Sequence, residues 1–167
     1  MRGSACAMAA AAALSLGACE QRAAEPAEAN GAAAADAGAA AGELPVARAA
    51  ADPQLQWGPC PEGMPEGCGI AVLNGDPARP NADIFLKVPG GAAIPPHAHS
   101  SAERMVLVSG ELRVTYDGQQ ETVLRPGSYA YGPASLPHVA TCAAGAPCVL
   151  FIAFESPVDA IPGAAGE

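Results

Sequence analysis

The chain has 167 residues, half of them hydrophobic but only 4% aromatic, and its 17 Asp and Glu against 8 Lys and Arg give a net charge of −9. An acidic chain without a basic cluster argues against nucleic acid as a partner, and the lack of a run of about 20 unbroken apolar residues argues against a transmembrane helix. All seven aromatic residues lie between Trp57 and Phe154. The core-forming part is therefore one small domain of roughly 100–110 residues.

Residues 1–18 have the features of an export signal. Arg2 precedes a short apolar run over residues 5–16, and the segment ends in Leu16-Gly17-Ala18-Cys19. Signal peptidase accepts small residues before its cleavage point. With the cysteine next, this end resembles the lipobox of bacterial lipoproteins. The resemblance implies cleavage before Cys19 and acylation of that cysteine, and two or more acyl chains give stable anchoring.

Glu20 follows the cysteine. By analogy with Gram-negative sorting, a residue other than Asp at this place favours the outer membrane, so we expect a lipid-anchored periplasmic protein whose only membrane contact is the anchor. An ordinary secretory signal that releases a soluble periplasmic protein is the alternative.

Residues 19–51 predict a lipidated N-terminus followed by a flexible linker. Sixteen of the 32 residues from 20 to 51 are alanine, with acidic residues scattered among them. Such a segment buries too little surface to offset the entropy of ordering it. It suits a spacer that holds a domain away from the membrane. The domain itself is expected over residues 52–160, with a C-terminal tail over 161–167.

Four cysteines remain beyond Cys6 and Cys19, namely Cys60, Cys68, Cys142 and Cys148. An even number in an exported chain favours disulfides. Four cysteines allow three pairings, and the two local ones, Cys60 with Cys68 and Cys142 with Cys148, are favoured here. A structural zinc site built from all four is the rival, although the tight CxxC spacing of such sites is missing.

The domain reads as short strands separated by turns. Alternation of polar and apolar residues over Glu111–Tyr116 is typical of a half-buried strand, and Asp117-Gly118 after it is a hairpin turn signal. The predicted strands are Ile70–Leu73, Asp83–Val88, Met105–Ser109, Glu111–Tyr116, Glu121–Leu124, Ser128–Tyr131, Leu136–Thr141 and Val149–Phe154. The predicted core residues are Leu73, Ile84, Leu86, Leu107, Val114, Leu150 and Ile152. This pattern predicts an all-β sandwich or barrel.

Five other charged or aromatic side chains are not expected to take part in catalysis. Arg104, Arg113 and Tyr116 are expected on a solvated strand face in preference to the rim of a pocket. Tyr129 and Tyr131 share one strand face, which predicts either core packing or contact with a second copy in a homodimer.

The chain has three histidines, and they have ligand-like spacing. His97 and His99 are two residues apart, so in a strand both rings face the same side. Glu103 follows a plausible bend at Ser100-Ser101, and His138 begins a later strand. Three neutral imidazoles and one carboxylate suit a divalent first-row metal and leave room for water or substrate. On that basis binding should weaken as pH falls toward the free histidine pKa of about 6.5.

The spacing Gly91-(x5)-His97-x-His99-(x3)-Glu103-(x6)-Gly110 resembles the first sequence motif of the cupin superfamily. Sixteen residues separate Gly110 from Gly127, and the stretch Gly127-(x5)-Pro133-x-Ser135-(x2)-His138 resembles the second. Ser135 stands where the family has glycine and Cys142 where it has asparagine, so Ser135 is expected to adopt a conformation that glycine accepts more cheaply.

The cupin resemblance implies a double-stranded β-helix, that is, a jelly-roll barrel of two antiparallel sheets. It also implies His97, His99, Glu103 and His138 as ligands of one divalent metal. Because Met105 and Leu107 share the parity of Glu103, we expect them to line the barrel as apolar neighbours of the metal. Iron, manganese, zinc, nickel and copper all remain open. A looser resemblance to the cupin domain of anti-sigma factors rests on Trp57-Gly58-Pro59, Gly75-Asp76-Pro77 and Pro126-Gly127-Ser128-Tyr129. Sigma regulation does not carry over with it, because the separate sigma-binding module is absent.

Two functions follow from such a site. The first is a metalloenzyme, dioxygenase-like or an isomerase, that acts on a small oxygen-bearing substrate through an ion with open positions. The second is a non-enzymatic lipoprotein that binds or senses a small acidic or polyhydroxyl ligand through the metal. The fold does not decide between them, because function lives in the site.

Overall fold

The computed structural model describes residues 44–163 of the chain, and within that range every regular element is a β-strand. The strands are β1 (Trp57–Pro59), β2 (Gly69–Asn74), β3 (Ala82–Val88), β4 (Ala93–Ala98), β5 (Glu103–Ser109), β6 (Leu112–Tyr116), β7 (Thr122–Leu124), β8 (Tyr129–Gly132), β9 (His138–Cys142), β10 (Cys148–Phe154) and β11 (Ile161–Pro162). The all-β prediction is confirmed. Within residues 44–163 no helix is long and apolar enough to cross a membrane. The predicted signal peptide, Cys19 and most of the linker lie outside the described residues, as do residues 164–167.

The strands form two antiparallel sheets. The larger has six strands in the order β1-β2-β3-β10-β5-β8, and the smaller has five in the order β11-β4-β9-β6-β7. Apart from the consecutive pairs β1–β2, β2–β3 and β6–β7, neighbouring strands in each sheet are not consecutive in the chain, as in the central pairing of β3 with β10. The chain therefore passes repeatedly between the sheets, which is the jelly-roll arrangement expected from the sequence.

The core lies between the two sheets. Alternation sends Ile84, Leu86 and Val88 of β3 inward, and Leu150, Ile152 and Phe154 of β10 meet them. The core cluster consists of Ile84, Leu86, Val88, Ile94, Met105, Leu107, Leu112, Val114, Leu124, Ala140, Cys142, Cys148, Leu150, Ile152 and Phe154. Each large apolar side chain buried in this way contributes about 1.5–3 kcal/mol to folding.

A second, smaller apolar layer covers the outer face of the larger sheet. Phe85 and Val149 point outward from β3 and β10, and Leu55 from the segment before β1 packs on them. Ala50, which the sequence assigned to the linker, packs against the same layer. Leu73 also belongs here and is only half-buried, so its placement in the main core was wrong. Its position on β2 puts it on the opposite side of the sheet from Ile84.

Both local cysteine pairs are disulfides in the structure. The Cys60–Cys68 bridge closes the loop between β1 and β2, and the Cys142–Cys148 bridge joins the end of β9 to the start of β10. The first is half-buried, whereas both cysteines of the second are fully buried in the core cluster.

Candidate metal centre

The three histidines meet at one end of the space between the sheets. His97 lies in β4 opposite His138, the first residue of β9. His99 follows one residue after the end of β4, and Glu103 begins β5 across the bend at Ser100-Ser101. One ring nitrogen from each histidine lies within 4.8 Å of the others. The expectation that these rings share a common centre is therefore met.

All four side chains are buried, with relative exposures of 6% for His97, 6% for His99, 8% for His138 and 3% for Glu103. Burying polar groups is costly unless each finds a partner. The polar atoms of these four residues, which contact an apolar core, are therefore expected to have binding partners.

Backbone carbonyls fix the tautomer of each imidazole. The Nδ1 atom of His97 is 2.8 Å from the Pro95 oxygen, that of His99 is 2.6 Å from the Asp159 oxygen, and that of His138 is 3.3 Å from the Leu136 oxygen. A carbonyl oxygen only accepts hydrogen bonds, so each Nδ1 carries the proton and donates. The Nε2 atom of each neutral ring then keeps its lone pair, as a metal ligand must.

The Glu103 carboxylate faces these lone pairs. Its Oε2 atom is 3.2 Å from His99 Nε2 and 3.8 Å from His138 Nε2. Neither Glu103 Oε2 nor His99 Nε2 has a hydrogen-bond partner among the described residues. Two acceptor atoms placed face to face repel each other unless a proton or a cation lies between them, so this donor set fits a metal ion.

Burial shifts the pKa values of these groups toward their uncharged forms. It lowers the pKa of His99 to about 4, with the neighbouring His97 adding to the effect, and it likewise lowers that of His138 to about 4. The pKa of His97 is also lowered by burial. In contrast, burial raises the pKa of Glu103 to about 8. At neutral pH the three imidazoles are therefore ready to ligate without losing a proton.

Tyr116 is a further member of the site. Its ring lies 4.8 Å from that of His138, and its buried hydroxyl lacks a hydrogen-bond partner within residues 44–163. Burial, and next the Glu103 charge, raise the pKa of the hydroxyl, so it stays protonated. The expectation that Tyr116 lies on a solvated face was wrong, because it continues the inward parity of Leu112 and Val114 along β6.

Gly132 leaves space for this arrangement. A Cβ atom at Gly132 would lie 2.8 Å from the Tyr116 hydroxyl and 3.2 Å from Glu103 Oε2. The missing side chain thus lets both oxygens approach the same backbone point on β8. Any larger residue would displace the tyrosine.

The cavity beside the cluster is almost wholly apolar. It has a volume of about 50 Å³. Its apolar lining consists of Pro61, Met64, Ile70, Ile84, Leu86, Ile94, Met105, Leu112, Val114, Leu124, Ala140, Leu150, Ile152, Phe154, Val158 and Ala160. Met105 lines the cavity, as its parity with Glu103 predicted, whereas Leu107 is buried in the core without lining the cavity.

The segment after β10 closes one side of the site. Beyond accepting from His99 through its carbonyl, Asp159 accepts from the Ser100 amide at 3.1 Å through its carboxylate. β11, which follows at once, pairs with β4 next to His97. Nothing in the local sequence signals Asp159 as part of the site, because it acts 60 residues away from His99.

The other conspicuous residues lie outside the site. Arg104 and Arg113 are exposed and pair with Glu155 and Glu121, respectively, in agreement with the solvated face expected for them. Tyr129 and Tyr131 are 62% and 51% exposed, so core packing was the wrong assignment for these two side chains. They project from β8, an edge strand of the larger sheet.

Comparison with known families and structures agrees with this geometry. The family model described as "Cupin domain" matches residues 84–154, the range that holds all three histidines, Glu103 and Tyr116. No curated protein sequence matches the chain.

Two solved structures share the fold. The DMSP lyase DddQ from Ruegeria pomeroyi DSS-3 is 22% identical with a TM-score of 0.53, and the match covers 63% of this chain and 58% of that one. The polyketide cyclase RemF from Streptomyces resistomycificus is 18% identical with a TM-score of 0.56, and the match covers 68% of this chain and 83% of that one. At such identities the similarity establishes the fold alone.

A third match bears on the looser resemblance drawn from the sequence. The complex of SigE with the anti-sigma ChrR from Rhodobacter sphaeroides matches at 21% identity over 61% of this chain and 50% of that one, with a TM-score of 0.47. At that score it carries no argument about a subgroup. From the family match over residues 84–154, the jelly-roll topology and the histidine cluster, this part of the chain is a cupin domain.

Proposed function

We propose that this protein is an exported cupin lipoprotein whose domain binds one divalent metal ion and uses it to transform a small oxygen-bearing molecule. One observation carries the proposal. Three imidazoles with fixed tautomers converge, and the Glu103 carboxylate lies against two of them. Two of the atoms that face each other, His99 Nε2 and Glu103 Oε2, have no hydrogen-bond partner in the described part of the chain.

The ion would be held by His97, His99, Glu103 and His138. When bound it would supply Lewis-acid chemistry and open positions for oxygen donors, as suits a dioxygenase-like oxidoreductase or an isomerase. Neither the metal nor the reaction is chosen by these ligands alone. Asp159, Pro95 and Leu136 would orient the imidazoles through their carbonyl groups.

Tyr116 is the residue best placed to handle a proton. Besides the four ligands, the cavity lining holds two polar residues, Tyr116 and Asp159. The Asp159 carboxylate is already engaged with the Ser100 amide. The Tyr116 hydroxyl is buried and protonated, so it can donate a hydrogen bond or a proton to a molecule held at the cluster.

Metal content tests the first part of the proposal. We expect about one equivalent of a transition metal in the purified wild-type chain, and its loss in a His97→Ala/His99→Ala/His138→Ala variant. Glu103→Gln should lower metal affinity, whereas Glu121→Gln, which alters an exposed carboxylate, should not. Circular dichroism and thermal melting would establish that each variant is folded. Stoichiometric metal in the triple variant would overturn the assignment.

Turnover separates the enzyme from the binding lipoprotein. The metal-loaded chain would be assayed on a panel of thiols, catechols and β-dicarbonyl compounds. Turnover that Tyr116→Phe abolishes without loss of metal would support the enzyme. Tyr116 is the residue to replace because it is the single uncommitted proton donor in the described lining. If the metal-loaded chain turns over none of these compounds, the binding function is favoured instead.

Export through a lipid anchor at Cys19 is part of the same proposal. The support comes from the lipobox-like Leu16-Gly17-Ala18-Cys19 and from the two disulfides of the domain. Disulfides persist in the periplasm and are rare in the reducing cytosol of bacteria.

A further inference from the structure

We propose that the cavity takes a short-chain carboxylate, whose head lies between the histidine cluster and the Tyr116 hydroxyl and whose unbranched apolar body lies among the aliphatic side chains. This inference rests on the proposed function, because the head would be held at the metal centre. It excludes the polyhydroxyl ligands that the sequence left open.

The lining separates a polar end from an apolar remainder. The six polar residues, His97, His99, Glu103, Tyr116, His138 and Asp159, lie close together around the histidines. The other sixteen lining residues carry no polar side chain. Among the described residues of the cavity wall there is no Lys, Arg, Ser, Thr, Asn or Gln.

This wall rejects hydroxyl groups on the body of a ligand. A hydroxyl facing Ile84, Leu150 or Ile152 would lose its hydrogen bonds to water without replacement. Such a loss lowers affinity on the order of 10- to 100-fold for each hydroxyl. A methylene at the same place gains affinity by leaving water, about fourfold for each buried group.

The polar end selects the head group. The Tyr116 hydroxyl is a buried donor without a partner in the described part of the chain, and it lies beside Glu103 at the point left open by Gly132. A carboxylate offers two acceptor oxygens, so one can ligate the ion while the other accepts from Tyr116. An ammonium head has only donors and would meet both the ion and a second donor.

The size of the cavity limits the length of the body. A volume of about 50 Å³ holds roughly three to five water-sized groups. The wall is close-packed sheet on both sides, with Ile84 and Leu150 almost fully buried, so it does not widen cheaply. We therefore expect the best fit near four or five carbons.

Calorimetry on the metal-loaded full chain tests the inference with acetate, propionate, butyrate, pentanoate and octanoate. Affinity should rise about fourfold per added methylene up to butyrate or pentanoate and fall at octanoate. The matched probe is 4-hydroxybutyrate, which replaces the terminal methyl of pentanoate by a hydroxyl. It should bind at least tenfold more weakly than pentanoate.

Two variants test the two ends of the site. Tyr116→Phe removes the donor and should weaken butyrate binding about tenfold or more, whereas Tyr131→Phe, on the exposed face of β8, should leave it unchanged. Val114→Thr places a hydroxyl in the wall with little change of shape. This variant should therefore reduce the difference in affinity between pentanoate and 4-hydroxybutyrate.

These measurements distinguish failure of the carboxylate proposal from failure of the proposed metal centre. A wild-type chain without metal would refute the metal centre. Stoichiometric metal together with equal binding of pentanoate and 4-hydroxybutyrate, or with affinity independent of chain length, would refute the carboxylate while the centre stands. If a variant fails to fold, the probe series on the wild-type chain decides alone.

Discussion

At the level of single residues, the proton that competes with metal belongs to Glu103 rather than to a histidine. Burial lowers the pKa values of His99 and His138 to about 4, so both are neutral at pH 5 and above. The pKa of Glu103 is raised by burial to about 8. The pKa of His97 is also lowered by burial from its usual 6.5. Between pH 6.5 and 8 the proton that metal must displace is therefore that of Glu103, and metal affinity should fall about tenfold per unit as pH drops through this range.

This dependence differs from the one expected from unperturbed histidines, which places the loss near pH 6.5. Metal titrations of the wild-type chain between pH 6.5 and 8.5 would measure it. Glu103→Gln should bind more weakly but with a flat profile over that range, while Glu121→Gln should keep the wild-type slope. An unchanged slope in Glu103→Gln would assign the competing proton to another group.

Ser135 carries a backbone conformation that suits glycine. Its φ is +61°, as expected from its place in the second cupin motif, and its side chain is exposed. A left-handed residue other than glycine costs about 1–2 kcal/mol, partly offset in the variant by the extra freedom of glycine when unfolded. Ser135→Gly should therefore raise the unfolding free energy by about 0.5–1 kcal/mol, measurable by urea denaturation. Destabilisation would mean that the hydroxyl has a role of its own.

The site residues differ in how readily the sequence reveals them. His97, His99, Glu103 and His138 are recoverable because ligand spacing is a local property of two short segments. Tyr116 could have been found from parity, since it follows the buried Leu112 and Val114 at intervals of two. Asp159 could not, because its contact with His99 depends on where the chain returns after β10.

At the level of elements, the two disulfides differ in what surrounds them. Each closes a short loop, which stabilises a protein by about 2–3 kcal/mol. Cys142 and Cys148 are also fully buried in the core, so their replacement leaves a cavity with a further cost of about 1–2 kcal/mol. The Cys60–Cys68 loop instead contributes Pro61 and Met64 to the cavity wall.

Alanine replacement of each pair should separate these effects. Thermal melting should show the larger loss for Cys142→Ala/Cys148→Ala. The Cys60→Ala/Cys68→Ala variant should retain more stability and, because its loop is released, should bind butyrate more weakly. Equal losses of stability would indicate that the buried sulfurs contribute no packing.

The strands that the sequence predicted are those with alternating or continuous apolar runs, and the structure contains all eight of them within a residue or two. The short edge strands β1 and β11 were missed. They have three and two residues, each with one proline, and such short segments carry no periodic signal. β4 contains Pro95 and Pro96, and its pairing with β9 is irregular between Ile94 and His97. Proline cannot donate to a sheet, so this strand is visible mainly through its histidines.

For the whole molecule, the jelly roll explains how a chain with few aromatic residues builds both a core and a site. The fold brings β4, β5, β6 and β9 to one end, where the polar residues collect, while the apolar residues of both sheets fill the remainder. The outer layer around Leu55 and Phe85 adds a second buried surface to the larger sheet. The domain therefore has an apolar core that does not depend on the ion, which is why the triple histidine variant is expected to fold.

Lipidation at Cys19 is the prediction that concerns the location of the protein, because a lipid anchor would hold the domain at a membrane surface in the periplasm. Cys19 lies outside the described residues, and the argument rests on the apolar run that ends in Leu16-Gly17-Ala18-Cys19. If Cys19 carries the anchor, Cys19→Ser should shift the domain to the soluble periplasmic fraction or leave an uncleaved precursor, because a single uncleaved signal replaces two or more acyl chains. Metabolic labelling with palmitate and fractionation would measure this. Cys6→Ser, which alters a cysteine inside the signal, is the matched control and should keep label and fraction. Retention of label and unchanged mature size in Cys19→Ser would show that Cys19 does not carry the lipid, whereas a wild-type chain without label would favour the soluble periplasmic alternative.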